Sequence, residues 1–203
     1  MTSKRRELLL LPLLLSIGAL LVTAVYIVTA QHIAANRQRA ADTILLDALA
    51  LPAANTTLSA KGITEDRELL ALREPRQIYL ARQNNQIVAI ILPLTARDGY
   101  NGPIDLIAGI APDGKIINVR AIDHRETAGL GDRIDVDKSA WINQFIGKSL
   151  NAPMGELWSP KNAGGAFDQI TGATVTSRAV IDAVHNALQY FEQHREQLLE
   201  DSQ

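Results

Sequence analysis

From Leu8 to Ala30 the chain reads LLLLPLLLSIGALLVTAVYIVTA, without one charged side chain. About 20 apolar residues suffice to carry a helix across the hydrocarbon core of a bilayer, so this run predicts a membrane span. Lys4, Arg5 and Arg6 precede it. A basic flank stays on the cytoplasmic side, which puts residues 1–7 in the cytoplasm and exports everything after residue 30. Arg37 and Arg39 weaken that asymmetry without reversing it. The competing reading is a cleaved signal peptide, because Val28-Thr29-Ala30 looks like a small-residue cleavage site. The run is longer than the ~7–15 apolar residues of a signal peptide, which favours a retained anchor.

The 203 residues leave room for one further domain with a core of its own. The chain has no cysteine, which excludes disulfides and cysteine-ligated iron–sulfur clusters. Its formal charge is −2 and no basic patch follows the N-terminal cluster, so nucleic acid is not an expected partner. Residues 31–75 form a juxtamembrane and connecting segment, with a helix over Gln31–Leu51 that ends before Pro52. Leu69, Leu70 and Leu72 mark a short buried element whose type the pattern leaves open. From Gln77 the signals are those of strands. Gln77–Arg82 and Gln86–Leu94 flank a turn at Gln83-Asn84-Asn85, and Ile104–Ile110 and Lys115–Ile122 flank the turn Ala-Pro-Asp-Gly. Trp141, Ile142, Phe145 and Ile146 share an apolar face, Asn151–Gly165 reads as loop, and the charged tail after Arg195 is expected to fray. The fold class is α+β, with antiparallel hairpins and a C-terminal helix.

That helix follows a run of small and hydroxyl residues, Asp168–Ser177, reading DQITGATVTS. Val180, Ile181, Val184, Ala187, Leu188 and Phe191 recur at helical spacing after it, so Thr174–Ser177 are expected at the N-cap and first turn. The first N–H groups of a helix have no partner within it, and the dipole leaves partial positive charge there. A phosphate at that end is stabilised by both effects. Gly172 and Ala173 let such a group approach the backbone, and Arg178 adds a cation. On local chemistry alone, a plain helix cap is the better explanation of the run.

The segment GGAFDQITGATVTSRAV resembles the flavinylation signature of the FMN-binding domain family, in which Asp, two residues, Ser or Thr, Gly, Ala and Thr follow in order. Here those positions are Asp168, Thr171, Gly172, Ala173 and Thr174. Two further stretches are similar to the family. Gly99-Tyr100-Asn101-Gly102 matches its Gly-Tyr-x-Gly loop. His124-Arg125-Glu126-Thr127-Ala128-Gly129-Leu130-Gly131 matches its His-x-Glu-Thr-Pro-Gly-Leu-Gly loop, with Ala128 in place of proline. The resemblance spans about Gln77 to Phe191 and implies an FMN-binding domain over residues 76–203. The family includes subunits of sodium-pumping NADH:quinone oxidoreductases and of Rnf-type complexes, and the chain length and the GGAFDQ lead-in point to the Rnf-type G-subunit branch.

The resemblance implies covalent FMN as a phosphoester on Thr174. It implies cofactor contacts from Thr171, Gly172, Ala173, Thr176, Ser177, Glu126, Thr127 and Leu130, with Asp168 as part of the flavinylation motif. It implies an electron-relay subunit of an ion-translocating oxidoreductase in a bacterial inner membrane, with a periplasmic domain. Its partners would be the other membrane subunits and a flavin transferase. The span carries no ionisable residue that would serve an ion path. A reading of another class is a membrane-anchored scaffold without a cofactor, in which the run is only a cap. A hydrolase using Ser177 or Thr176 lacks a nearby base. His32, His124, His185 and His194 are scattered, so no metal site is expected.

Overall fold

The computed structural model describes residues 45–46, 51–52 and 55–200. The expected membrane span, the residues before it and most of the connecting helix lie outside the described residues. Among the described residues no helix is long and apolar enough to cross a membrane.

Five strands form one antiparallel sheet in sequence order: β1 (Thr57–Thr64), β2 (Arg76–Gln83), β3 (Gln86–Ala96), β4 (Ile104–Ile110) and β5 (Ile116–Asp123). Turn chemistry sets the hairpins. Asn84 and Asn85 both adopt positive φ between the paired Gln83 and Gln86, the two-residue geometry whose twist suits a hairpin. At the next hairpin Gly114 N–H closes on Ala111 O at 2.8 Å, and Asp113 Oδ1 accepts from Lys115 N.

β3 is the central strand and its sequence, QIVAIILPLTA, is apolar on both faces. Ile90, Leu92 and Leu94 look into the main core, while Ala89 and Ile91 join a second cluster with Leu46, Leu51, Ala81 and Ile107. Pro93 is tolerated inside it because β2 stops pairing at Tyr79↔Ile91. The Thr95 N–H on the same edge donates to Leu70 O at 2.9 Å, away from β4, so the missing N–H of Pro93 breaks no ladder bond.

Helix α1 (Thr174–Gln193) covers the main-core face. Val180, Ile181, Val184, Ala187, Leu188 and Phe191 are all buried, as their spacing predicts. A short helix α2 (Arg195–Leu199) continues the chain where fraying was expected. Leu198 is buried, and Arg195 Nη2 donates to Pro112 O at 2.6 Å, tying α2 to the β4–β5 turn.

Two other expectations change. β1 occupies part of the connecting segment, to which the sequence pattern assigns no strand, while Leu70 and Leu72 are buried in a loop. The Ala140–Phe145 segment is a 3-10 helix capped by Ser139 Oγ, which accepts Trp141 N–H at 3.1 Å. Its period of three aligns Ile142 with Phe145, both buried, and turns Ile146 out to solvent. Phe145, Trp158 and Phe167 pack ring against ring, with Phe167 and Trp158 centroids 4.7 Å apart. This cluster fixes the chain just before Asp168.

Leu92 is fully buried between the sheet and α1. Leu92→Ala should lower stability by about 2–5 kcal/mol, read as a fall in the urea midpoint at unchanged slope.

Candidate functional site

The first turn of α1 divides its hydroxyls between two environments. Thr176 and Ser177 are fully buried, whereas Thr171, Thr174 and Val175 are exposed. Ser177 Oγ accepts Ile170 N–H at 2.9 Å and donates to Ala173 O at 2.9 Å, stapling the lead-in loop onto the helix. Thr176 Oγ1 donates to Glu126 Oε2. The helix start itself lies one residue earlier than a threonine cap requires. Ala173 is the N-cap, no side chain closes the end, and Thr174 is the first helical residue. The free N–H groups and the positive end of the dipole are therefore available to a ligand or to water.

Gly172 precedes this turn at φ +82°, a left-handed conformation that favours glycine. A Cβ there would also press on Leu130 Cδ2 at 3.0 Å. Leu130 belongs to the loop after β5, whose centre is Glu126. The Glu126 carboxyl is buried and bonded on both oxygens, with Asn101 N–H donating to Oε1 at 3.0 Å and Thr176 to Oε2. Asn101 Nδ2 donates to Thr127 Oγ1 at 3.0 Å, closing the two loops on each other. Glycines make room for this. A Cβ on Gly131 would stand 2.5 Å from Glu126 Oε2, and one on Gly99 would stand 3.0 Å from Oε1.

Between these parts opens a cleft of about 250 Å³, lined by Tyr100, Glu126, Thr127, Leu130, Gly131, Gly172, Ala173 and Thr176. Its rim is apolar and wet, with Tyr100 68% and Leu130 43% exposed. Thr174 faces a neighbouring hollow of about 230 Å³ with Val175, Arg178, Asp98 and Asp182. Burial pushes the Asp182 carboxyl up from its usual range, with Arg178 pulling against it. Ala173 lines the first cleft and Thr174 the second, so one peptide unit separates them. Thr171 and Asp168 line neither. The Asp168 carboxylate points to solvent and pairs with Lys161 at 2.7 Å, while Trp141 Nε1 donates to its carbonyl at 2.7 Å.

A profile of the FMN-binding domain family matches residues 99–189, from the Gly99 loop through most of α1. The G subunit of the ion-translocating oxidoreductase complex of Pseudomonas aeruginosa is 44% identical over 199 residues, covering 97% of this chain and 92% of that protein. Its counterpart in Vibrio cholerae is 36% identical over 198 residues, covering 98% and 95%. The chain belongs to the family of Rnf-type ion-translocating oxidoreductase G subunits. Its fold is shared with the crystal structure of NqrC from Shewanella oneidensis, at a TM-score of 0.57 and 16% identity over 81% of this chain and 98% of that one.

In this member of the family the loop that carries Glu126 is braced by contacts that the sequence reading did not foresee. His124 Nδ1 accepts Glu126 N–H at 3.1 Å, and His124 Nε2 lies 3.0 Å from Asp135 Oδ1. Both ring nitrogens are thus engaged: the neutral ring carries its proton on Nε2, and His124 is a post for the loop. Lys138 reaches Asp132 Oδ2 at 2.8 Å and Asp135 Oδ2 at 3.2 Å. Its hydrogen bond holds the buried Asp132 carboxyl below the usual carboxylate range. Acidic and basic residues three apart in a loop read as a solvated surface, and nothing local signals that they meet behind Glu126.

Ser177→Ala leaves the Ile170 N–H without its acceptor, so it should cost about 1–3 kcal/mol in urea unfolding. Asp132 has its folded pKa depressed, so its contribution is present above the unfolded value and lost as pH falls through the folded one. Lys138→Met should therefore be less stable than wild type at pH 7, and the gap should close as pH drops below about 4. Paired urea titrations at the two ends of that range measure it.

Proposed function

We propose that Thr174 carries FMN as a phosphoester, and that the chain is the electron-relay subunit of an ion-translocating oxidoreductase complex. The observation that carries this reading is the position of one hydroxyl. Thr174 is exposed on an uncapped first turn, while Thr176 and Ser177 are buried and bonded. Thr171 is exposed too, but it precedes Gly172 and stands off the helix. Thr176 and Ser177 are buried and hydrogen-bonded, which argues against either as a hydrolase nucleophile.

The backbone supports the fit. Gly172 keeps the approach to the helix end open, and the cleft beyond Ala173 joins apolar walls to polar groups on Thr127, Glu126 and Thr176. Thr174 and the first N–H groups would hold the phosphate, with Arg178 as its nearest cation. Leu130 and Tyr100 would pack on the ring, and Glu126 and Thr127 would fix its orientation. FMN supplies reversible electron transfer, which no side chain here provides. No residue of the chain needs to turn over a substrate. A covalent tether suits an exported domain, where a dissociated cofactor has no cytoplasmic pool to replace it.

Membrane association follows from the family's complex, and the Leu8–Ala30 run with its basic flank supports one span in a bacterial inner membrane and a periplasmic domain. The partners are the other subunits of the complex and a flavin transferase, which reads the exposed Asp168 as part of its signature.

Thr174→Ala tests the ester. Full-length protein from a host with the transferase should show a fluorescent band on a denaturing gel, and the peptide containing Thr174 should carry the mass of one FMN ester. The variant should lose both, while its stability stays within about 0.5 kcal/mol of wild type because Thr174 caps nothing. A band that persists would move the ester to Thr171. A wild type without fluorescence would favour a scaffold.

A further inference from the structure

We propose that the Glu126 carboxylate sets the reduction potential of the ring held in the cleft, keeping it low by opposing the negative charge that reduction adds. The inference rests on the FMN reading above and assigns Glu126 a task beyond contact.

Three observations carry it. Glu126 is buried and lines the cleft. Its two oxygens are met only by neutral donors, the Asn101 N–H and the Thr176 hydroxyl, and among the described residues no Lys or Arg pairs with it. An ionised carboxylate is an acceptor only, and two neutral dipoles leave most of its charge uncompensated. Finally, the carboxylate cannot swing away. Both its oxygens are hydrogen-bonded, and His124 Nδ1 accepts the Glu126 backbone N–H at 3.1 Å.

A fixed anion in a partly desolvated cleft acts strongly on any neighbouring charge, because little water is present to screen it. The bound ring would exchange electrons with other subunits of the complex, and Glu126 would pass neither electrons nor protons to it. Its effect is a constant field that disfavours the reduced, more negative ring. The same field favours passing electrons onward. The Lys138 ammonium is paired with Asp132 and Asp135, so it does not neutralise Glu126.

The test uses full-length, flavin-loaded protein titrated with redox mediators at pH 8 and followed by flavin absorbance. Glu126→Gln keeps the shape: its oxygen accepts from Asn101 and its amide nitrogen donates to Thr176 Oγ1. The midpoint potential should move in the positive direction. Thr176→Val keeps the carboxylate but removes one donor, so the potential should move in the negative direction. Opposite signs separate charge from packing, since a loosened cleft would shift both variants the same way. Should Glu126→Gln not fold, the negative shift in Thr176→Val alone supports the proposal and its absence overturns it. Shifts of the same sign, or none, also overturn it. In-gel fluorescence comes first. A wild type without flavin overturns the FMN reading and this one with it, whereas loaded proteins with unchanged potentials overturn this one alone.

Discussion

The site depends on one buried carboxylate. Glu126 joins the loop at Asn101 and the helix residue Thr176, 25 and 50 positions away along the chain. A buried acid left without donors is destabilising, so each bond is required by the others. Pulling any one segment away strands the carboxyl. That requirement makes two separate loops and the start of α1 behave as one rigid wall. It also accounts for the glycines on either side, which yield the space the carboxyl needs, and for the bracing of Glu126 by His124 and Asp135 behind it.

The rest of the fold supplies the frame in which those segments meet. The meander of β1–β5 brings the β3–β4 connection, which carries Gly99-Tyr100-Asn101, close to the end of β5, where the Glu126 loop begins. α1 lies across the same face, and its long apolar stripe leaves its N-terminus little freedom to shift. The aromatic cluster of Phe145, Trp158 and Phe167 anchors the other approach, so the lead-in from Asp168 to Ala173 is fixed at both ends. Anchored in this way, the first turn can leave Thr174 exposed without the helix end unwinding.

How much could be read beforehand follows from where each signal lies. β2–β5 and α1 are legible because their patterns are local: turns with Asn-Asn and Asp-Gly, a two-faced apolar strand, and a helical apolar stripe. β1 is not. It is an edge strand with a bulge near Gly62 and Ile63 on its exposed side, so its outward and inward residues show no clean alternation. The hydroxyl run was legible as a unit, but its division of labour was not. Ser177 as staple, Thr176 as partner of Glu126 and Ala173 as N-cap are set by contacts far along the chain. The Asp132–Lys138 pair behind the loop was illegible for the same reason.

The spacing of that run resolves what looks redundant in it. Successive residues on a helix turn by about 100°, so Thr174 and Thr176, two apart, lie on opposite sides of it. With Thr176 directed inward to Glu126, Thr174 is turned to the opposite, exposed side. The buried hydroxyls thus determine which one remains available for chemistry. Exchanging Thr174 and Thr176 in role would require the helix to rotate about its axis, and the stripe from Val180 to Phe191 forbids that. A single exposed hydroxyl on the first turn of α1 follows from packing that is itself blind to any ligand.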